Sequence, residues 1–395
     1  MKKQAINCSL TLLLAVVLII SPTLAASTHI SVDICLTESS VCTLQDGSIV
    51  MGGYDPYSTL YDKSRSAWML CIATAENEYN QPWKYEANNG NDTYGFFQGL
   101  QALPDDSVCA LLTMLENDPI QQKVSIIRVK NGKKVSERPV ADGTTNFMYT
   151  PDGLLLFAYD IATQNSDLST LSFYDNANRL RWEKHFRQNT TVSKILTAGD
   201  GYYIIGSRTA ERVTARYIAK LNMDGELLWE RAEKVENGSM FNDVAFTKEG
   251  NLVAVGGNYE SADASEFAKA VIACYTPSGS LKWQDELCFD ELSFHWSSVA
   301  CMDESIVAVG SNNLESATVS AAHYDLNGHK LFYWDEPVSN EIDRSTYIQL
   351  IPAGTDNVYL IVTGDTGWWF TRKPIKPGEL RYKTVLEKLE YKSPL

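Results

Sequence analysis

Histidine is scarce in this sequence, and no metal-ligand spacing joins the residues present. The five are His29, His185, His295, His323 and His329. None belongs to an H-E-x-x-H or comparable pair, so no zinc motif is present. No G-x-S-x-G elbow and no Walker-type glycine loop occurs; Gly52-Gly53 and Gly256-Gly257 end apolar runs with no helical pattern behind them. The eight cysteines contain no C-x-x-C pair and no adjacent pair, which removes the usual redox and zinc-ribbon signatures. Most sit in strand-like apolar runs such as Val271-Ile272-Ala273-Cys274 and read as small core residues. Basic residues are outnumbered, 34 against 49 acidic, for a formal charge of -15. A surface of that sign repels phosphate backbones and argues against a nucleic-acid partner.

Long apolar runs are also missing, except at the start. Met1-Lys2-Lys3, the run Leu10 to Ile20 and small residues around Thr23, Ala25 and Ala26 describe a secretory signal peptide over 1–26. The expected location is therefore extracytoplasmic, with no membrane span after cleavage. Seven cysteines then remain, an odd number that does not describe a disulfide scaffold. With 44% hydrophobic and 21% charged residues the rest is an ordinary globular composition. Its length is that of two domains or one large repeat array.

The repeat is visible. Ala219 to Trp229 reads A-K-L-N-M-D-G-E-L-L-W: a strand, a tight Asp224-Gly225 turn, and a returning strand with a tryptophan four residues past the glycine. Y-D-N-A-N-R-L-R-W at 174–182, Y-T-P-S-G-S-L-K-W at 275–283, Y-D-L-N-G-H-K-L-F at 324–332 and P-I-K-P-G-E-L-R-Y at 374–382 are further copies. Weaker ones end at Trp83 and Ser136. The end positions 83, 136, 182, 229, 283, 332 and 382 are 46 to 54 residues apart. Strand-rich repeats near that period predict a β-propeller with one four-stranded blade per repeat.

A second hairpin precedes each of these units. Val244 to Gly256 turns at Glu249-Gly250; Val192 to Gly206 turns at Asp200-Gly201; Phe147 to Tyr159 and Val41 to Gly52 turn at Asp152-Gly153 and Asp46-Gly47. Turn chemistry accounts for these aspartates and for Asp224, because glycine supplies the positive φ. The fold class read from this is all-β: a seven-bladed propeller of four-stranded antiparallel blades over 38–395. Blades are predicted near 38–87, 93–138, 143–187, 190–235, 240–288, 295–338 and 345–390. Residues 27–37, with Ile30 to Leu36 strand-like, are expected to pair with the last blade near Glu379 to Leu389 and close the ring. Trp83, Trp182, Trp229, Trp283, Phe332 and Tyr382 are read as packing between blades, with the indole N–H on a backbone carbonyl. Asn91, Asn189 and Asn237 head N-x-S/T sequons and are read as turn residues.

The D-G-x-x-x-W unit with its preceding strand resembles the repeats of bacterial secreted propellers of the quinoprotein-like type. It is similar to the tryptophan-docked blades of pyrroloquinoline-quinone dehydrogenases and of their cofactor-free relatives. The dehydrogenases carry eight blades, a calcium site and a vicinal disulfide. Seven blades, no adjacent cysteines and no Asp-Asn cluster here imply the non-enzymatic branch, with no cofactor and no metal.

Topology then points to a site. The first-to-second and third-to-fourth connections are short, regular turns on one face. The other connections vary and lie on the opposite face, where binding loops on a rigid scaffold belong. Tyr57, Tyr61, Arg65, Tyr94, Arg208, Tyr259, His295, Trp296, Trp368 and Trp369 are the candidate binding residues on or near that face. Aromatics with a few charges suit a protein or carbohydrate partner, bound by a monomer. The alternative is a polysaccharide- or peptidoglycan-active hydrolase or lyase using loop carboxylates among Asp55, Asp62, Glu260, Asp263, Glu266 and Asp365. A quinone- or metal-dependent oxidoreductase is a third, disfavoured reading. No catalytic residue is assigned.

Overall fold

The computed structural model describes residues 23–32, 34–54, 66–73, 80–87, 93–117, 120–159, 168–187, 189–210, 213–235, 237–259, 267–288, 294–312, 318–337, 344–352, 357–365 and 382–392. They form seven four-stranded antiparallel sheets. Six are built from consecutive strands, spanning 35–87, 93–140, 144–187, 189–233, 239–288 and 294–337. The second strand of a blade is covered on both faces. Leu252–Tyr259 therefore reads as one apolar run, buried at every position but the last. The outer strand Leu227–Glu233 is largely solvated.

Apolar burial divides into seven clusters, each between two neighbouring sheets. Met69, Cys71, Phe97 and Leu112 meet between blades one and two. Tyr203, Ile218, Phe241 and Tyr275 meet between blades four and five. Ile34, Ile49, Ile361 and Leu386 join blade seven to blade one, so the circle is complete. Each sheet has two apolar faces to cover, and only a ring covers both without an end.

The seventh sheet corrects the predicted closure. Its inner three strands are Arg344–Pro352, Asn357–Asp365 and Tyr382–Lys392, and its outer strand is Thr23–Val32. The closing strand thus begins within the predicted leader. Cys35 and Leu36, assigned to closure, instead open blade one opposite Tyr54 and Gly53. The repeat predicts Tyr382 as an outer-strand aromatic. It opens a third strand opposite Asp365, because the last repeat supplies only three strands.

On the rim, each docking tryptophan reaches the next blade. The Trp182, Trp229 and Trp283 indole N–H groups donate to the carbonyls of Met223, Pro277 and Leu326 at 3.0, 3.0 and 3.2 Å. Each ring lies on the glycine two residues further on. A Cβ at Gly225, Gly279 or Gly328 would come within 2.4 to 2.7 Å of the indole. The turn is shaped from its first residue: Asn222 Oδ1 accepts the Asp224 and Glu226 N–H groups at 3.0 and 2.8 Å. At Trp83 the geometry differs: a Cβ at Gly132 would meet the Trp83 Cβ and the Lys84 carbonyl oxygen, each at 3.0 Å, rather than the ring. Phe332 has no N–H and packs edge-on against His323, with ring centroids 5.0 Å apart.

Two measurements test these contacts. Gly279→Ala adds a methyl under Trp229 at a φ of +83°, whereas Gly250→Ala, at +79°, meets nothing within 4 Å. Urea unfolding should show a loss of about 1–2 kcal/mol for Gly250→Ala from backbone strain alone and about 2 kcal/mol more for Gly279→Ala. Equal losses would deny the tryptophan contact any weight. Removing residues 23–32 bares the edge of Tyr382–Lys392 and should lower Tm by more than about 5 °C. Unchanged melting would mean the outer strand adds nothing to closure.

Candidate functional site

The inner strands meet around an axial cavity of about 570 Å³. Its shape follows from a β-bulge in the inner strand of each of blades two to seven. Register shifts fall at Gln98/Leu100, Thr144/Asn146, Val192/Lys194, Phe241/Asp243, Trp296/Ser298 and Ser345/Tyr347. A bulge leaves backbone groups without ladder partners and re-aims side chains. Glycine is required opposite it in three blades: a Cβ at Gly206, Gly256 or Gly310 would lie 1.9 to 2.0 Å from the carbonyl oxygen of Thr191, Met240 or His295.

Side chains at the bulges staple one blade to the next. The Asn146 amide donates to the Ser193 carbonyl at 3.2 Å, the Ser193 hydroxyl to the Phe241 carbonyl at 2.8 Å, and the Asn242 amide to the Trp296 carbonyl at 2.8 Å. Gln101 exchanges two hydrogen bonds of 2.7 Å with the Tyr149 backbone. Lys194 Nζ donates to Asp243 at 2.6 Å and to the Val244 carbonyl at 3.2 Å. Asp243, 8% exposed, also accepts from Ser298 Oγ at 2.6 Å and from the Val299 and Val244 N–H groups at 3.0 and 2.8 Å. Ser298 Oγ in turn accepts the Leu350 N–H at 3.1 Å. The buried charge is therefore fully hydrogen-bonded, which is the condition for carrying it inside.

Of the five candidate binding residues that are described, His295 is the one that lines this cavity. Its Nε2 lies 3.4 Å from Ser297 Oγ. Burial holds the imidazole pKa down at about 4, so it is neutral near pH 7. Trp296 must be reassigned. It is 0% exposed, packed edge-on against Phe294 at 4.9 Å in the cluster between blades five and six, because alternation turns it away from its neighbour His295. Arg208 is committed inside blade four. It donates to Thr190 Oγ1 at 3.3 Å and Glu230 at 2.9 Å and lies 4.0 Å over the Tyr217 ring, whose hydroxyl donates to the same Glu230 oxygen at 2.9 Å. Burial acts to raise the Glu230 pKa, but these hydrogen bonds outweigh it and lower it. Tyr259 is half-buried, its hydroxyl 3.2 Å from Met240 Sδ. Tyr94 is half-buried opposite Leu115. Tyr57, Tyr61, Arg65, Trp368 and Trp369 lie outside the described residues, as do the loop carboxylates Asp55, Asp62, Glu260, Asp263 and Glu266 and the side chain of Asp365.

The sequence reading missed Lys194, Asp243, Asn146 and Asn242. A signal for them exists. Val192-Ser193-Lys194-Ile195, Phe241-Asn242-Asp243-Val244 and Trp296-Ser297-Ser298-Val299 each place two polar residues between apolar ones. That breaks period-two alternation once per blade, as a bulge does. The buried thiols carry no comparable chemistry. Burial pushes Cys71 and Cys274 up to about 11 and Cys109 up to about 12, so they stay protonated and weakly nucleophilic.

No family model matches the chain, and no curated protein matches it. Solved structures do. The chain is similar to BBS1N, determined in complex with ARL6DN, at 11% identity and a TM-score of 0.51, covering 94% of this chain and 97% of that one. It is also similar to a protein of unknown function from Dyadobacter fermentans DSM 18053, at 11% identity and a TM-score of 0.50, covering 93% and 99%. The fold is a seven-bladed β-propeller. At this identity the likeness is one of fold, and function has to be argued from the site.

His295 and His323 give a pH test. Burial depresses both to about 4. Between pH 4 and the ordinary histidine range near 6.5, the unfolded chain binds protons that the folded chain does not, so stability falls as pH falls through that window. Urea midpoints should decline from pH 7 to pH 4, and less steeply in a His295→Gln/His323→Gln variant. Parallel slopes in the two proteins would contradict the burial of neutral imidazoles.

Proposed function

We propose that this chain is an extracytoplasmic binding propeller that engages a protein or carbohydrate partner through the face carrying the variable connections. The observation behind this reading is the state of Asp243. It is the one carboxylate lining the cavity among the described residues, and four donors plus the backbone frame hold it in place. A carboxylate held in that way is a structural anion rather than a nucleophile or general acid. Rigid blades with variable connections are an arrangement suited to recognition. BBS1N, a propeller of similar fold, is itself found in complex with ARL6DN. A leader over residues 1–26, whose removal leaves residues 27–32 to pair with the last strand, belongs to the same proposal, as do a monomeric state and kinship with the non-enzymatic quinoprotein-like propellers. The glycine-seated tryptophans support that kinship.

The test is a glycan array together with capture from the extracellular fraction, using wild type and the loop variants Tyr57→Ala, Tyr61→Ala and Trp369→Ala. Capture of one partner that the loop variants lose is the expected result. Sugar turnover abolished by Glu260→Gln or Asp263→Asn would replace this reading with the hydrolase.

A further inference from the structure

The axial cavity carries chemistry that the staples do not use up. Lys194 has three N–H donors and commits two of them, to Asp243 and the Val244 carbonyl, with 34% of its side chain exposed. Asn146 and Asn242 each donate an amide N–H to the next blade and leave the amide oxygen uncommitted. Gln349 accepts the Tyr347 hydroxyl at Oε1, which leaves its amide nitrogen. Among the described residues the cavity therefore offers donors from Lys194 and Gln349 and acceptors from Asn146 and Asn242. Its formal charges, Lys194 and Asp243, cancel, and His295 is neutral.

That balance selects a ligand class. A carboxylate or phosphate needs converging donors and would face the two amide oxygens and Asp243. A metal cation needs converging oxygens and would face the Lys194 ammonium. A hydroxyl donates and accepts at once, so it can bridge a donor and an acceptor in the same wall. Phe147, Met240 and Tyr347 add apolar surface for the C–H faces between hydroxyls. The volume is within the ordinary range for small-molecule sites.

We propose that the axial cavity is a binding site for a neutral polyhydroxylated ligand of monosaccharide size, free or as the terminal residue of a larger glycan. The site is separate from the loop face and stands or falls independently of it. Asn146, Lys194, Asn242 and Gln349 lie near the middle of the inner strands of blades three, four, five and seven, so the ligand sits on the axis between the two faces.

The probes are glucose, galactose, mannose, N-acetylglucosamine and myo-inositol, with acetate, inorganic phosphate, glucuronate and glucosamine as charged controls. Each is titrated against the full chain by ligand-observed NMR and calorimetry. The same neutral sugars, immobilised as terminal residues of glycans, form the second arm. At least one neutral probe should bind with a Kd below about 10 mM and the charged controls should not. Ser297→Leu, which fills the cavity, and Gln349→Leu, which removes an uncommitted donor, should each weaken binding at least about tenfold with CD and Tm retained. Two variants keep the test open should one fail to fold. Binding in the free-sugar arm alone identifies a free ligand, and binding in both arms a glycan terminus. No neutral probe bound in either arm, equal affinity in the folded variants, or preferential binding of a charged control would overturn the proposal.

Discussion

Everything in this ring depends on a hydrogen bond that crosses from one blade to the next. A twisted four-stranded sheet with two apolar faces has no stable existence alone. The fold answers with contacts at two radii. On the rim, an indole N–H reaches the carbonyl of the following turn, and a glycine beneath the ring lets it settle. Near the axis, a polar side chain at or beside the bulge in each of blades two to six bonds to a backbone group of the next inner strand. Apolar packing fills the wedge between these circles but sets no angle, because dispersion and hydrophobic burial are non-directional. The hydrogen bonds at the two radii supply the direction.

The outer circle was legible in the sequence because it repeats. Asp224-Gly225 and Trp229 stand at fixed offsets, and copies near 182, 283 and 332 follow. A turn that needs positive φ and a large aromatic leave marks in any alignment of the chain with itself. The inner circle was harder to see because no two blades solve it with the same residue. Asn146, Ser193, Lys194 and Asn242 do the same work with different chemistry. What they share is the interruption of alternation, and two polar residues in a strand are easily read as an exposed face.

The termini defeated the repeat logic for a physical reason. The seventh sheet borrows its outer strand from the other end of the chain, so the period carries no signal at Tyr382. Trp296 misled in a different way. Beside His295 it looked like half of a recognition pair, but adjacent residues of a strand face opposite sides. One lines the axis and the other is locked between blades. Half of the residues named for binding, Tyr57, Tyr61, Arg65, Trp368 and Trp369, fall in connections outside the described residues, where the repeat that revealed the fold carries no signal.

Pairing Thr23–Val32 with Tyr382–Lys392 also has a consequence in time. Thr28 lies opposite Lys388 and Val32 opposite Thr384. Thr23–Val32 must wait for Tyr382–Lys392, more than 300 residues later. During synthesis, six blades can assemble in order from local hairpins, each templating its successor. The seventh cannot be completed until Tyr382–Lys392 is made, and the loop it closes spans the other six blades. Closure of that loop carries the largest entropic cost of any pairing in the molecule. Ring closure is therefore the pairing that joins the two most distant stretches of the described chain, and it waits on Tyr382–Lys392.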